Sequence, residues 1–281
     1  KTKFINKFLE IMSDLKIFCL SIYNKNNNLF KGFNYIPVGL GDNIFNDSWL
    51  VDNTGKNISS KNQYYGEYSF HYWLWKNHMT EISKSKWIGF CTYRRFWSFK
   101  DCESQSIDAL KKNIITNEPK AWDNSDVILA ERLNIGKIKN SKIIKNFGIK
   151  NTVSNLKILF KSKHNLLEHF KIFHGIDHIN EAIKLLPKDD RLGFEEYLQK
   201  FSFNPHNLFI CRGSKILEEF YTNVFSWLFK CEDQFDMNKL RGYEIRMLGF
   251  LAEHFVSYWF QKKFSVYENP ITFFDTNKKM S

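Results

Sequence analysis

No run of about 18 uncharged apolar residues occurs in the sequence, so it offers no transmembrane helix. Its opening residues do not read as a secretory signal, because Glu10, Asp14 and Lys16 interrupt any apolar stretch. The five cysteines (Cys19, Cys91, Cys102, Cys211 and Cys231) are odd in number and never spaced CxxC, which argues against a zinc site and against a disulfide framework. A reducing cytoplasm is the expected compartment. Cys19 and Cys91 sit in apolar strand-like runs, where a thiol is a small buried group. Neither GxGxxG nor GxxxxGK[ST] is present, which weakens dinucleotide oxidoreductases and P-loop enzymes. The absence of a GxSxG elbow weakens a serine hydrolase. His174 and His178 fall four apart on a predicted helix, but no HExxH pattern accompanies them, and a structural or surface role is expected. No helix-turn-helix, zinc-finger or RNA-binding signature appears, and no dense Lys/Arg run is interleaved with aromatics, so nucleic acid is not an expected partner.

What is present suits a large folded unit. The chain has 281 residues, 43% hydrophobic and 17% aromatic, enough for one α/β domain with a helical part. Its net charge of +11 favours anionic partners, among them nucleic acid, an anionic membrane surface or a phosphorylated substrate. Many lysines (Lys111, Lys112, Lys137, Lys139, Lys142, Lys145) are scattered, as on a solvated face.

Along the chain, residues 1–14 form a short basic amphipathic segment that fits either a membrane surface or a helix packed on the domain. A single domain is read over residues 15–270, starting with a buried strand at 15–23. A helix is predicted from Lys61 to Thr80, with Ser59 or Ser60 as its cap and aromatics on more than one face. Trp87–Thr92 is a short strand, 106–118 a helix and Asp126–Ala130 a strand. Residues 132–165 are basic, Asn-rich and weakly periodic, and read as an irregular insert that could act as a flap. Helix is expected over 164–187, a loop feeding a strand over Phe203–Cys211, and helices over 214–230 and 239–261. Residues 271–281 read as a partly disordered tail. There is no internal repeat.

Arg94 and Arg95 stand where the apolar run of the 87–92 strand ends. Arginine's planar fork pairs two phosphate oxygens at once and keeps its charge. Ligands of open α/β sheets bind beyond the carboxyl ends of strands, so this position suits a nucleotide or sugar nucleotide. On a continuing strand the two side chains would point to opposite faces, leaving at most one in a cleft. No DxD motif follows the strand. Mg²⁺ or Mn²⁺ often neutralises a diphosphate leaving group; without one, Arg94 and Arg95 are the substitutes.

Several blocks together resemble a bacterial family first catalogued as a domain of unknown function, found in capsule and lipopolysaccharide gene clusters and regarded as glycosyltransferases related to the GT-A fold. Its pattern, D-x-x-G-x-NIS-x-KN, then E…YWxWKN, then IG-x-x-HYRRYF, is similar to Asp52, Gly55, Asn57, Ile58, Ser59, Lys61 and Asn62, to Glu67, Tyr72, Trp73, Trp75, Lys76 and Asn77, and to Ile88, Gly89, Tyr93, Arg94, Arg95 and Phe96. A looser second half is similar at Asp126, Asn207–Ile210 and Arg246–Glu253. Thr92 stands where the family has histidine.

The resemblance implies a GT-A-like, Rossmann-like mixed sheet flanked by helices, with a helical C-terminal part. It implies a transferase using a nucleotide-diphosphate sugar, a UDP-sugar first among them, with a glycan or lipid-linked glycan acceptor. The enzyme would be cytoplasmic and could touch the inner membrane face peripherally. Arg94, Arg95, Tyr93, Asn57, Lys61, Asn62 and Asp52 would hold the donor diphosphate. Asn207, Arg246 and Trp73 would shape the acceptor side. Glu253 is the candidate base, with Asp126 and Glu67 as fallbacks. No protein metal ligand is assigned, and Mg²⁺ or Mn²⁺ is an optional cofactor. Two other readings fit the same residues: a basic carbohydrate- or polyanion-binding module without catalysis, and a nucleotide-sugar hydrolase.

Overall fold

The computed structural model describes residues 14–24, 33–101, 106–175 and 177–275. The strands are β1 (Leu15–Ser21), β2 (Ile36–Gly39), β3 (Leu50–Val51), β4 (Trp87–Thr92), β5 (Arg95–Trp97), β6 (Val127–Ala130), β7 (Leu133–Asn134), β8 (Ser202–Phe203), β9 (Phe209–Arg212), β10 (Val266–Asn269) and β11 (Ile271–Phe273). The α-helices are α1 (Asn62–Tyr65), α2 (Tyr68–Asn77), α3 (Met79–Ile82), α4 (Ile107–Asn113), α5 (Asn140–Phe147), α6 (Ile149–Ser154), α7 (Leu166–His174), α8 (Asp177–Lys184), α9 (Lys188–Tyr197), α10 (Ser214–Gln234) and α11 (Met247–Lys263).

Strands β1 and β4 are buried at every position, as strands covered on both faces must be. They lie side by side, parallel, at the centre of a sheet ordered β3-β2-β1-β4-β9-β6-β10. β1 to β4 run the same way; β9 opposes both β4 and β6, and β10 is parallel to β6. The sheet is therefore mixed and mostly parallel, with helices on its flanks. Alternate residues feed two cores. Phe18, Leu20, Ile88 and Phe90 pack with residues of α2, α10 and α11. Ile17, Cys19, Trp87 and Cys91 pack on the opposite face with Tyr35, Trp97, Leu110 and Trp122. Gly89 pairs with Ile210 of β9, and a Cβ there would sit 2.7 Å from Ile210 Cγ1. The strands can meet this closely only with glycine at that point.

Several elements depart from the sequence reading. The helix expected over 61–80 is cut into α1, α2 and α3, with Gly66 at φ +56° in the first break. Neither Ser59 nor Ser60 caps it; the Asn57 Oδ1 accepts from the Ser59 N–H at 3.2 Å and its hydroxyl at 2.9 Å instead. Residues 132–165 are not irregular. They fold as β7, α5, α6 and a 3-10 turn (Leu156–Phe160) around a small core of Ile138, Ile143, Phe147, Ile158 and Ile172. Gly175, at φ +106°, divides α7 from α8, so His174 and His178 do not share a helix. Ile271–Phe273, read as the start of a tail, forms β11 against β5. The amphipathic segment, apart from Asp14, and the last six residues of the tail lie outside the described residues, as does Cys102. Among the described residues no helix is long and apolar enough to cross a membrane.

Candidate functional site

At its carboxyl end β4 reverses within two residues. Thr92 pairs with Arg95, leaving Tyr93 and Arg94 as the turn. This tight reversal, which the sequence pattern did not reveal, brings both arginines to one cleft rather than to opposite faces. β11 braces the hairpin: the Phe274 N–H donates to the Arg94 carbonyl at 2.9 Å, and the Arg95 guanidinium lies 5.5 Å from the centre of the Phe273 ring. The Arg94 guanidinium lies 4.9 Å from the Tyr93 ring centre. Arg94 Nε is buried and has no hydrogen-bond partner among the described residues. A buried donor left open in this way is suited to a ligand acceptor.

The cleft holds about 640 Å³. Its floor is the ends of β1 and β4. One wall is Asn62, Gln63, Gly66 and Glu67; the other is the His206–Asn207 loop ahead of β9; Tyr243 to Glu253, leading into and along α11, close it. Gly249 lets α11 approach α1, since a Cβ there would lie 3.3 Å from the Tyr65 carbonyl oxygen.

Three cations, Arg94, Arg95 and Arg246, share the cleft with two carboxylates, Glu67 and Glu253. Arg246 Nη2 lies 3.7 Å from Glu67 Oε1. Glu253 Oε1 accepts the His206 backbone N–H at 2.5 Å and lies 3.9 Å from His206 Nδ1. Burial raises the Glu253 carboxyl to about 7; Glu67 adds to the rise, while the His206 N–H, Arg95 and Arg246 oppose it. Such a carboxyl can exchange a proton near neutral pH. Burial, with Arg95 adding to it, pushes the His206 imidazole down to about 3, so this ring is neutral beside Glu253.

His206 and Asn207 both hold positive φ, 77° and 54°. Non-glycine residues are strained there, and the Glu253 hydrogen bond helps fix the loop. The Asn207 Oδ1 and the Thr92 Oγ1 are buried without hydrogen-bond partners among the described residues, and both side chains line the cleft. His206, Tyr243 and Gln63 were not anticipated. The only signal for the first was its place in FNPHNLF, ahead of a strand.

Of the residues singled out in the sequence, Tyr93, Arg94, Arg95, Asn62, Asn207, Arg246, Glu253 and Glu67 meet in the cleft. Five others are placed elsewhere. Asp52 is fully buried, accepting from the Gly41 N–H at 2.9 Å and the Ser69 hydroxyl at 2.5 Å. It fixes the wall rather than the ligand, because Ser69 also accepts from Asn62 Nδ2 at 2.8 Å. Burial raises its carboxyl to about 6 against these hydrogen bonds. Lys61 is drawn to Glu232 of α10 at 2.7 Å. Asn57 caps its own turn, and Trp73 is buried with its Nε1 donating to Thr54 Oγ1 at 3.0 Å.

Asp126 precedes β6 at the opposite edge of the sheet, accepting from the Ser265 N–H at 3.1 Å and its hydroxyl at 2.6 Å. Much of the NIS-x-KN and YWxWKN pattern is thus a clasp. Asn77 accepts from the Lys56 N–H at 3.0 Å and donates to its carbonyl at 2.8 Å. A Cβ at Gly55 (φ +56°) would stand 2.3 Å from Asn77 Oδ1.

Glu67 faces Arg246 and Glu253 accepts a backbone N–H, and among the described residues no group of three His, Cys, Asp or Glu could hold a metal ion.

Residues 18–264 match the model of the family described as "domain of unknown function (DUF4422)", and the chain belongs to that family. No curated protein matches it. The fold is similar to that of a solved structure named as the apo form of a bifunctional glycosyltransferase, WbbM, at a TM-score of 0.68 and 20% identity. That match covers 94% of this chain and 46% of the other, so the chain spans less than half the length of that neighbour. The architecture is GT-A-like.

Proposed function

We propose that this chain is a glycosyltransferase that moves a sugar from a nucleotide-diphosphate donor, a UDP-sugar first among them, to a growing capsular or lipopolysaccharide-type surface glycan, free or lipid-linked. It would act in the cytoplasm, at the inner face of the membrane. The observation that carries this reading is a cleft at the carboxyl edge of a GT-A-like sheet in which two braced arginines face a carboxyl that exchanges its proton near neutral pH. Family membership and the glycosyltransferase neighbour support the same class.

In the proposed reaction Arg94 and Arg95 bind the diphosphate oxygens and take up the negative charge that grows there as the sugar leaves. Ionised Glu253 accepts the proton of the acceptor hydroxyl as that oxygen attacks the anomeric carbon. One C–O bond forms, the bond from the anomeric carbon to the phosphate oxygen breaks, and its electron pair departs with the diphosphate. Asn207 and Thr92 offer open acceptors to sugar or ribose hydroxyls, and Arg246 keeps Glu67 occupied on the far wall.

The test is a thermal-shift screen against UDP-, GDP-, CMP- and dTDP-sugars, with and without Mn²⁺, on the natural protein and on the Arg94→Ala/Arg95→Ala variant. One sugar nucleotide should raise Tm in the natural protein, and the double variant should lose that shift. A shift that appears only with Mn²⁺ would move the diphosphate from the arginines to a metal. Equal response to all polyanions, abolished by salt, would replace the transferase by a binding module.

A further inference from the structure

Residues 133–167 contain Lys137, Lys139, Lys142, Lys145, Lys150, Lys157, Lys161 and Lys163 and not one aspartate or glutamate. The stretch folds into α5, α6 and the 156–160 turn, whose inner side chains fill the small core already described. Its outer side is apolar to an unusual degree. Phe160 is 83% exposed, Ile149 72%, Val153 62% and Leu156 54%. Large exposed apolar groups gathered in one segment mark a surface meant to be covered. The charge identifies the cover. Lys161 pairs with Glu168, but no acidic group among the described residues pairs with Lys139, Lys142, Lys145, Lys157 or Lys163. Apolar side chains set among uncompensated lysines match a bilayer with anionic headgroups, where the two signals act together and neither alone holds a protein firmly.

We infer that the α5–α6 excursion is the membrane-docking surface of this protein, seating Ile149, Val153, Leu156 and Phe160 at the acyl boundary while the lysines engage anionic headgroups. This locates the membrane contact of the proposed function, and it is read without turnover, so its failure leaves the donor-site reading standing. The excursion is also tied to the cleft. Ile172 of α7 belongs to its core, and at the end of the same helix the His174 ring stacks 3.8 Å from that of Phe250, a cleft residue. A docked excursion would therefore hold the cleft at a fixed place relative to the bilayer.

The test is co-sedimentation of the full chain with vesicles of phosphatidylcholine alone and of phosphatidylcholine with 30% phosphatidylglycerol, as a function of salt. Three proteins are compared: the natural chain, Ile149→Asp/Val153→Asp/Phe160→Asp, and Lys142→Gln/Lys145→Gln/Lys157→Gln. Binding should require phosphatidylglycerol and weaken with salt, falling at least ten-fold in the aspartate variant and several-fold in the glutamine variant. Both variants should keep the cooperative melting transition of the natural chain, which reports that they are folded whether or not a sugar nucleotide binds. Binding that survives in the folded aspartate variant would place the contact elsewhere in the chain. Equal binding to neutral vesicles, or to none, would overturn the inference. So would a concentration-dependent dimer that the aspartate variant loses, since a second copy would then cover the face.

Discussion

Replacing Glu253 by glutamine keeps an oxygen for the His206 N–H while removing the ionisable group. Burial, reinforced by Glu67 and opposed by the His206 N–H, Arg95 and Arg246, raises the carboxyl from 4.5 to about 7. A group with a higher pKa folded than unfolded binds its proton more tightly in the native state. Its contribution is full below about pH 4.5 and is lost as pH rises to about 7. At about 1.36 kcal/mol per pH unit, ionised Glu253 costs the fold up to roughly 3 kcal/mol at pH 8. The side chain is 16% exposed, which brings the expectation nearer to about 2 kcal/mol. Glutamine carries no such penalty. Chemical unfolding of the two proteins should give equal stability near pH 4.5 and a growing advantage for the variant, about 2–3 kcal/mol by pH 8. In melting experiments this is roughly 3–5 °C for a chain of this size. Sugar transfer should move the other way. If the proposed transfer holds, the natural protein's rate should rise with pH through about 7, and the variant should lose on the order of 10²–10⁴-fold. A stability difference that does not change with pH, or a variant less stable at pH 8, would refute the reasoning, because Glu253 would then be a structural anion and not a reluctant one.

Asp126→Asn should leave transfer within about two-fold while lowering stability by about 1 kcal/mol, since it weakens only the hydrogen bonds to Ser265 at the far edge of the sheet; a kinetic assay with a melting curve checks both. The fold should be sensitive to mild acid. Burial holds His71, His206 and His254 at about 3, His174 at about 2 and His169 at about 4. Folded pKa values below the free value mean that stability is full above about pH 6.5 and is lost as pH falls below it. The raised carboxyls of Asp52 and Glu253 act in the opposite sense but are fewer. Tm should drop steadily from pH 6.5 to pH 4.5, and His71→Phe, which fills the same buried site without a titrating ring, should flatten part of that slope.

The central strands were legible because their chemistry is local. A largely apolar run such as LKIFCLS or WIGFCT suits a strand covered on both faces, and β1 and β4 are that pair. Arg94, Arg95, Glu253, Arg246 and Asn207 could be nominated from residue type and motif, and the fold gathers all five. Other residues named from the motifs lie outside the cleft, because a motif does not say which way a side chain faces. Asn57, Lys61, Asp52 and Trp73 belong to the same blocks as the arginines, yet they hold the turn and the helices together. Asp126 lies apart for a topological reason: β9 opposes β4, and β6 opposes β9, so the start of β6 falls at the edge away from the cleft.

What the sequence determined by itself was the material: a mixed α/β core, a basic surface, and an arginine pair at a strand end. Only the tertiary structure decided how these act. The hairpin at Tyr93–Arg94, closed by a β11 that follows more than 170 residues later in the chain, turns both guanidinium groups into one cleft. The pKa of Glu253 likewise depends on burial by distant segments, a property that no residue carries in its own letter.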